Sequence, residues 1–157
     1  MSLGWSSDGG KVIVGLSNGS IAIYSKQPNG TFNILQTLNN IHSQNVYVSA
    51  AQNKFVSCSV GDTKTLIWNF NSTKGIYELN QTVNGDNGCS SISFASNLLR
   101  IATAHTNGNL FIYQAINNTF SNGSAPTTIG PVVSGKSSVS FNPTTLIFSV
   151  INANKGL

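Results

Sequence analysis

The stretch "KFVSCSVGDTKTLIWN", residues 54–69, has the composition of two short β-strands joined by a polar turn. Apolar, β-branched and aromatic residues fill its two arms, and the turn between them contains Asp62. Two further stretches follow the same plan: "KVIVGLSNGSIAIYS" at residues 11–25 and "RIATAHTNGNLFIYQ" at residues 100–114. Each begins with a basic residue and reaches an aromatic residue in its second arm: Tyr24, Trp68 or Tyr113. The hairpin is therefore an internal repeat rather than an isolated element.

The flanks of these hairpins repeat with the same period. The aromatic residues are 44 and 45 positions apart. Upstream, the segments "LGW", "VYV", "ISF" and "VSF" alternate as half-buried strands do, and they begin at Leu3, Val46, Ile92 and Val139. Downstream, "LQTL" ends at Leu38, "NQTV" at Val83 and a weaker "PTTI" at Ile129. The repeating unit is therefore four short strands in about 45 residues.

This pattern predicts an all-β protein, because no helical apolar periodicity persists and β-branched and aromatic residues dominate the apolar segments. Four strands in about 40–45 residues is the period of a β-propeller blade, so we predict blades of four antiparallel strands in an incomplete ring. The predicted blades span approximately residues 3–38, 46–83 and 92–129, and a half-blade spans 139–157. We expect the chain to be a fragment of a larger propeller, or another chain to complete its ring.

The second repeat resembles the WD-repeat β-propeller family most closely. His42 stands before its first strand, Asp62 lies in the hairpin turn, and Trp68 is the aromatic residue after that turn. In that family a His, a hydroxyl, an Asp and a Trp form a hydrogen-bonded network inside a blade. The resemblance implies this role for His42, Asp62 and Trp68, with Ser57 or Ser59 as the hydroxyl. It covers essentially the whole chain as about three and a half degenerate blades.

The other repeats depart from the family pattern. Tyr24 and Tyr113 occupy the position of Trp68 and are expected to be its equivalents, and Asn69 follows Trp68 where the family has Asp. The resemblance implies a non-catalytic protein–protein interaction scaffold, in which loop tips carry specificity. The loops at Ser17 and Asn39 are candidate contacts on one face. The aromatic residues Trp5, Phe94 and Phe141 recur at one first-strand position and are predicted to pack between blades.

The low content of charged residues limits the kinds of partner that we expect for the chain. Only 8% of residues are charged, against about 25% in a typical soluble domain. Eight basic and four acidic residues give a net charge of +4, and no run of Lys or Arg occurs, so we expect no nucleic-acid partner. No membrane span or signal peptide is visible, which favours a cytoplasmic location. Cys58 and Cys89 could pair in an oxidising compartment, but they lack a disulfide-framework spacing and are expected to be free.

The stretch "GPVVSGKSS", residues 130–138, matches the phosphate-binding pattern through Gly130, Gly135, Lys136 and Ser137. A phosphate-binding loop needs a buried strand before it and a helix after it, because backbone amides at the helix N-terminus hold the phosphates. Here the segment after Ser137, "SVSFNPTTLIF", alternates as a strand and contains Pro143. Nucleotide binding through Gly130–Ser137 is therefore a weaker hypothesis than the scaffold.

The remaining polar residues form no recognisable catalytic set. Glu78 is the only glutamate, and no two acids are placed as an acid–base pair. His105 falls beside a hairpin turn and is expected to be solvated or to cap the turn. The sequence therefore predicts no enzyme, no cofactor and no metal. The alternative hypothesis is an enzyme or ligand-binding propeller whose site lies in blades outside this chain.

Overall fold

The computed structural model describes residues 1–85, 88–120, 127–129, 137–142 and 148–152. All regular secondary structure in these ranges is β-strand, so the predicted all-β class of blade-like antiparallel sheets in an incomplete ring is confirmed. No helix in these ranges is long and apolar enough to cross a membrane.

The strands form three sheets and a hairpin, each built from consecutive strands in antiparallel order. The first sheet contains β1 (Ser2–Trp5), β2 (Lys11–Gly15), β3 (Ile21–Lys26) and β4 (Phe32–Leu38). The second contains β5 (Val46–Ala51), β6 (Lys54–Ser59), β7 (Lys64–Asn71) and β8 (Ile76–Asn84). The third contains β9 (Cys89–Phe94), β10 (Arg100–His105), β11 (Leu110–Ile116), β12 (Thr119–Phe120) and β13 (Thr127–Ile129). The terminal hairpin contains β14 (Ser137–Phe141) and β15 (Phe148–Asn152).

The strand register shows that the three aromatic residues hold one structural position. Tyr24 lies opposite Val12 on the neighbouring strand, Trp68 lies opposite Phe55, and Tyr113 lies opposite Ile101. Each of these partners directly follows the basic residue that begins the second strand of its sheet. The sheets can therefore be superimposed residue by residue, and positions that match in this way are called equivalent below.

The outer strand of each sheet is irregular at the same place. The register between the third and fourth strands shifts at Ile23/Tyr24 in the first sheet and at Ile67/Trp68 in the second. In the third sheet β12 pairs with Ala115–Ile116, whereas β13 pairs with Leu110–Ile112. The weak third copy "PTTI" thus contributes a separate short strand where the other sheets have one bulged strand.

Successive sheets pack face to face through apolar side chains. Ile13, Ile21 and Ile23 of the first sheet share a core cluster with Val48, Phe55, Leu66 and Trp68 of the second. A second cluster joins Val56, Ile67 and Val83 to Ile92, Ile101 and Phe111 of the third sheet. A third joins Ala102, Ala104 and Leu110 to Val139 and Phe141 of the terminal hairpin. Burying a Val, Leu, Ile or Phe side chain contributes about 1.5–3 kcal/mol, so this stacking is a large source of stability.

Serine hydroxyls join the first strands of successive sheets. Ser2 Oγ accepts a hydrogen bond from the Val48 N–H at 3.0 Å, and Ser49 Oγ accepts one from the Phe94 N–H at 2.9 Å. Ser91 and Ser93 do the same for Val139 and Phe141 at 3.1 and 3.0 Å. An edge strand exposes main-chain N–H groups that need partners. These hydroxyls satisfy that need and fix the order of the sheets.

Glutamine side chains join the outer strands in the same way. Gln36 Nε2 donates to the Tyr77 carbonyl oxygen at 3.0 Å, and Gln36 Oε1 accepts from the Tyr77 N–H at 2.8 Å. Gln81 makes the equivalent pair of bonds to Phe120, with its Oε1 accepting from the Phe120 N–H at 2.9 Å. Both glutamines belong to the repeated "QT" segments of the sequence. Each side-chain amide therefore replaces a β-bridge between two sheets.

The two cysteines form a disulfide, so the expectation that they are free is wrong. Cys58 of β6 and Cys89 of β9 are bonded, with their Cα atoms 5.8 Å apart and a sequence separation of 31. The bond links the second sheet to the third. A shift in the pairing of β9 with β10 explains why the pattern did not reveal it: Ala104 lies opposite Ser91, but His105 lies opposite Cys89. This extra residue turns the Cys89 side chain towards Cys58.

Candidate functional site: a buried network beneath a neutral loop face

A chain of side-chain hydrogen bonds runs through the second sheet. His42 Nδ1 lies 2.9 Å from Asp62 Oδ2, and His42 Nε2 lies 3.0 Å from Ser57 Oγ. The indole Nε1–H of Trp68 donates to the same Ser57 oxygen at 3.1 Å. The structure thus brings four of the sequence-predicted residues together: His42, Ser57, Asp62 and Trp68.

One pattern of protons satisfies every group in this network. The Trp68 indole can only donate, so Ser57 Oγ accepts from it and gives its own proton to another group. The His42 Nε2 atom is the acceptor of that proton, which leaves Nδ1–H to donate to the Asp62 carboxylate. His42 is therefore neutral, with its proton on Nδ1. The pKa of His42 is lowered, chiefly by burial and also by the charge of Lys64, although the hydrogen bond and charge of Asp62 raise it, and this favours the same neutral form.

Asp62 also fixes the two chain segments that flank it. Its Oδ1 atom accepts from the Lys64 N–H at 3.1 Å, which closes the β6–β7 turn. Its Oδ2 atom accepts from the Ser43 N–H at 3.3 Å as well as from His42, which holds the β4–β5 connection. A single carboxylate therefore locks a turn and a connection to each other.

Ser59 lies outside the network. Its Oγ donates to the Gln44 carbonyl oxygen at 3.2 Å and accepts from the Gly61 N–H at 3.1 Å. Of the two hydroxyls that the sequence allowed, Ser57 is thus the one that contacts His42 and Trp68. Ser59 instead supports the same connection from a neighbouring position.

The equivalents of Trp68 have different surroundings in the other sheets. Tyr113 is buried in the cluster between the second and third sheets, whereas Tyr24 is only half-buried on the outer side of the first sheet. The hydroxyl position of Ser57 is occupied by Val14 in the first sheet and by Thr103 in the third, as the strand register shows. The second sheet therefore holds the closest approach to the network that the family resemblance implies.

His105 is buried in the third sheet, which corrects the expectation that it is solvated or caps a turn. Its side chain is 2% exposed, its Nε2 atom lies 2.8 Å from Thr103 Oγ1, and its ring packs edge-on against Phe111 at 4.6 Å. Ile101, Thr103 and His105 alternate along β10 on one buried face. That period of two was the sequence signal, and it was obscured because the Asn-Gly turn begins directly after His105.

Turns and connections from all three sheets meet on one face, called the connection face below. It contains residues 16–20, 39–45, 60–63, 85, 88 and 106–109. The His42 N–H donates to the Gly19 carbonyl at 3.0 Å, and the Thr106 N–H donates to the Gly88 carbonyl at 2.9 Å. Gly19 has a φ of +83° and lies against the His42 carbonyl, so no larger residue fits there. The predicted contact loops at Ser17 and Asn39 both lie on this face.

The connection face presents neutral hydrogen-bonding groups. Its exposed side chains include those of Ser17, Asn18, Asn39, Ser43, Gln44 and Asn107. Asp62 is the only charged residue in these ranges, and its carboxylate is already engaged with His42 and two main-chain N–H groups. In the described ranges this face therefore presents amide and hydroxyl groups at its surface rather than charged groups.

The described residues give no support for the phosphate-binding motif or for a metal site. Ser137 begins strand β14, where a phosphate-binding loop would need a helix, and Gly130 to Lys136 lie outside the described residues. In the described ranges, no group of His, Cys, Asp and Glu side chains is placed to hold a metal ion. No protein-family model matches the chain, and a search of curated proteins found no significant relative.

Proposed function

We propose that this chain is a non-catalytic scaffold of WD-repeat type, part of a propeller, that binds other proteins through its connection face. One observation carries the proposal: turns and connections from three stacked sheets converge on a single face and present amide and hydroxyl groups at exposed positions. Loops held by a rigid scaffold are the usual carriers of specificity. The network of His42, Ser57 and Asp62 supplies that rigidity directly beneath Ser43 and Gln44.

The neutral character of the face defines the chemistry of the partner. A polypeptide offers main-chain N–H and C=O groups together with polar side chains, and these match amide and hydroxyl groups well. A nucleic acid would instead require a cluster of Lys and Arg to neutralise phosphates. The connection face carries none in its described ranges. A protein or extended peptide is therefore the partner we propose.

Site-specific photocrosslinking tests the choice of face. We would place a benzophenone amino acid at Ser43 or Asn107 on the connection face, and at Asn29 or Thr73 in turns of the opposite face, all of which are exposed. Crosslinks to a distinct protein from the first pair of positions, and not from the second, are the expected result. Equal crosslinking from both faces would contradict the proposal.

Affinity measured with the purified crosslinked partner completes the test. Gln44→Lys should weaken binding at least about tenfold, a change of about 1.4 kcal/mol, because it removes an amide acceptor and introduces an unpaired charge. Thr73→Lys introduces the same charge in an exposed turn of the opposite face and is the matched control. Equal affinities of the two variants would exclude the connection face as the binding surface.

We also propose that the chain resides in an oxidising compartment, against the cytoplasmic location that its sequence favours. The Cys58–Cys89 disulfide supports this, because such bonds persist where thiols are not kept reduced. Alkylation of intact cells before lysis should leave both cysteines unmodified until a reductant is added. Complete alkylation of Cys58 and Cys89 without reductant would contradict this location.

A further inference from the structure

The two ends of the sheet stack carry complementary halves of the interface that joins neighbouring sheets. One end is the outer side of the first sheet, where Leu3 and Trp5 are 56% and 51% exposed. The other end is strand β14 of the terminal hairpin, where Ser138 and Ser140 are exposed. These are called the leading face and the trailing strand. Their relation follows from the residues at equivalent positions inside the stack.

The leading face consists of positions that are buried or partly buried in every later sheet. Leu3 lies opposite Val14 in the first sheet. Val48 lies opposite Ser57 in the second sheet and Ile92 lies opposite Thr103 in the third, so both are equivalents of Leu3. Val48, Ile92 and Val139, its equivalents, are 5–7% exposed. The equivalents of Trp5 in the third sheet and the terminal hairpin, Phe94 and Phe141, are 5% and 8% exposed. In each of these sheets the preceding sheet covers these residues, so the first sheet exposes a ready-made packing surface.

The main-chain N–H groups of the leading face are also placed to meet a preceding sheet. The N–H groups of Val48, Phe94, Val139 and Phe141 point away from their own second strand and donate to serine hydroxyls of the preceding sheet. Leu3 and Trp5 hold the equivalent register positions. Their N–H groups therefore point to the side from which a serine of a preceding sheet would approach.

The trailing strand carries serines at the two matching positions. Ser91 and Ser93 of β9 accept hydrogen bonds from the sheet that follows them. Ser138 and Ser140 directly precede and follow Val139, just as Ser91 and Ser93 precede and follow Ile92. Both serines are exposed, and they lie on the face opposite to Val139 and Phe141, which pack on the third sheet. The trailing strand thus presents the hydroxyls that the leading face is built to meet.

We propose that two copies of this chain associate head to tail through these ends. Ser138 and Ser140 of one copy accept hydrogen bonds from the Leu3 and Trp5 N–H groups of the next, and the Leu3 and Trp5 side chains become buried. Leu3 and Trp5 lie on β1 and pair with residues of β2. The two strands of the hairpin therefore suffice to cover both strands. The contact joins different surfaces, so it continues into a ring or a longer stack. This inference does not rest on the proposed binding partner.

Complementation between two blocked variants of the 157-residue chain tests the proposal. Trp5→Asp places a charge on the leading face, and the double change Ser138→Lys and Ser140→Lys places charges on the trailing strand. Each variant retains one functional end. Sedimentation velocity should show each alone as a monomer near 16.6 kDa. An equimolar mixture should form a dimer of about twice that mass and nothing larger, while the parent chain grows further with concentration.

Two control variants and two contradicting outcomes decide whether the association is head to tail. Asn33→Asp on β4 and Ser72→Lys in the β7–β8 turn introduce charges of the same signs at exposed positions and should associate like the parent chain. Unchanged circular dichroism will show that each variant is folded; if Trp5→Asp fails to fold, Leu3→Asp replaces it in the mixture. A parent chain that stays monomeric at high concentration overturns the proposal. So does a self-dimer of the serine variant, which would mean that two leading faces pair with each other.

Discussion

Ser57 joins the two buried side chains of the network in the second sheet. Its hydroxyl contacts His42 and Trp68 at once, and both side chains are buried. A buried donor or acceptor without a partner destabilises the fold, because it has lost its hydrogen bonds to water. The network therefore stabilises the fold chiefly because its loss would leave buried polar atoms without hydrogen-bond partners.

We expect Ser57→Ala to lower the free energy of unfolding by about 1–3 kcal/mol, because it leaves the Trp68 indole N–H and His42 Nε2 without partners. Urea titration followed by tryptophan fluorescence measures this change. Ser17→Ala, at an exposed position, is the control and should stay within about 0.5 kcal/mol of the parent. Equal stabilities of the two variants would mean that the network does not contribute to folding.

The titration of His42 gives a second prediction for the same network. Burial lowers the pKa of His42 in the folded chain below its ordinary value of 6.5, so the unfolded chain takes up the proton first as the pH falls. The free energy of unfolding should therefore decrease on acidification below about pH 6.5, until the folded-state pKa is reached. Urea titrations at successive pH values measure this slope.

The variant His42→Gln separates this slope from the titration of other groups. It removes the ionisable group but keeps a side-chain amide, so its stability should depend less on pH in the same range. An identical pH dependence in parent and variant would show that His42 titrates alike in the folded and unfolded states.

At the scale of the strand, the sequence predicted pairing well and side-chain direction less well. Alternation and turn residues placed the hairpins of all three sheets, because both depend on neighbouring residues. The Cys58–Cys89 bond depends on an extra residue in β9 and on two sheets packing together, and neither leaves a local pattern. His105 did leave one, in the alternation of Ile101, Thr103 and His105, but the adjacent turn masked it.

The paired bonds of Gln36 to Tyr77 are an element-scale contact that can be tested alone. Gln36→Ala removes both bonds to the main chain of the buried Tyr77, and we expect a loss of about 1–3 kcal/mol in the free energy of unfolding. Thr37→Ala, next to it and exposed, controls for the change in β-propensity. A loss no larger than that of Thr37→Ala would show that water replaces the glutamine amide without cost.

For the whole molecule, stability arises from contacts between neighbouring sheets, as in other repeat proteins. Apolar faces, serine hydroxyls, glutamine amides and one disulfide all cross the same boundaries. The period of about 45 residues predicted this architecture, because each repeat is one supersecondary unit. The hydrogen bonds of the serine and glutamine side chains were not predicted, because neither residue type indicates in the sequence that it contacts another sheet.

The disulfide is the whole-molecule contact that is simplest to remove. Replacing Cys58 and Cys89 by Ser frees a loop whose ends are 31 positions apart, and we expect a loss of about 2–4 kcal/mol in the free energy of unfolding. Denaturant titration of the parent with and without reductant should reproduce the same difference. Equal stability of oxidised and reduced parent chains would contradict this expectation.

The central claim, that three equivalent antiparallel sheets repeat along the chain, is tested most directly by nuclear Overhauser contacts between Hα atoms. Facing residues in non-hydrogen-bonded antiparallel pairs have their Cα atoms only about 4.5 Å apart. The account predicts strong Hα–Hα contacts for Leu3 with Val14, Val48 with Ser57, and Ile92 with Thr103, which occupy one position in the three sheets. Observing all three would establish the repeat. Their absence, or helical contacts in these segments, would contradict it.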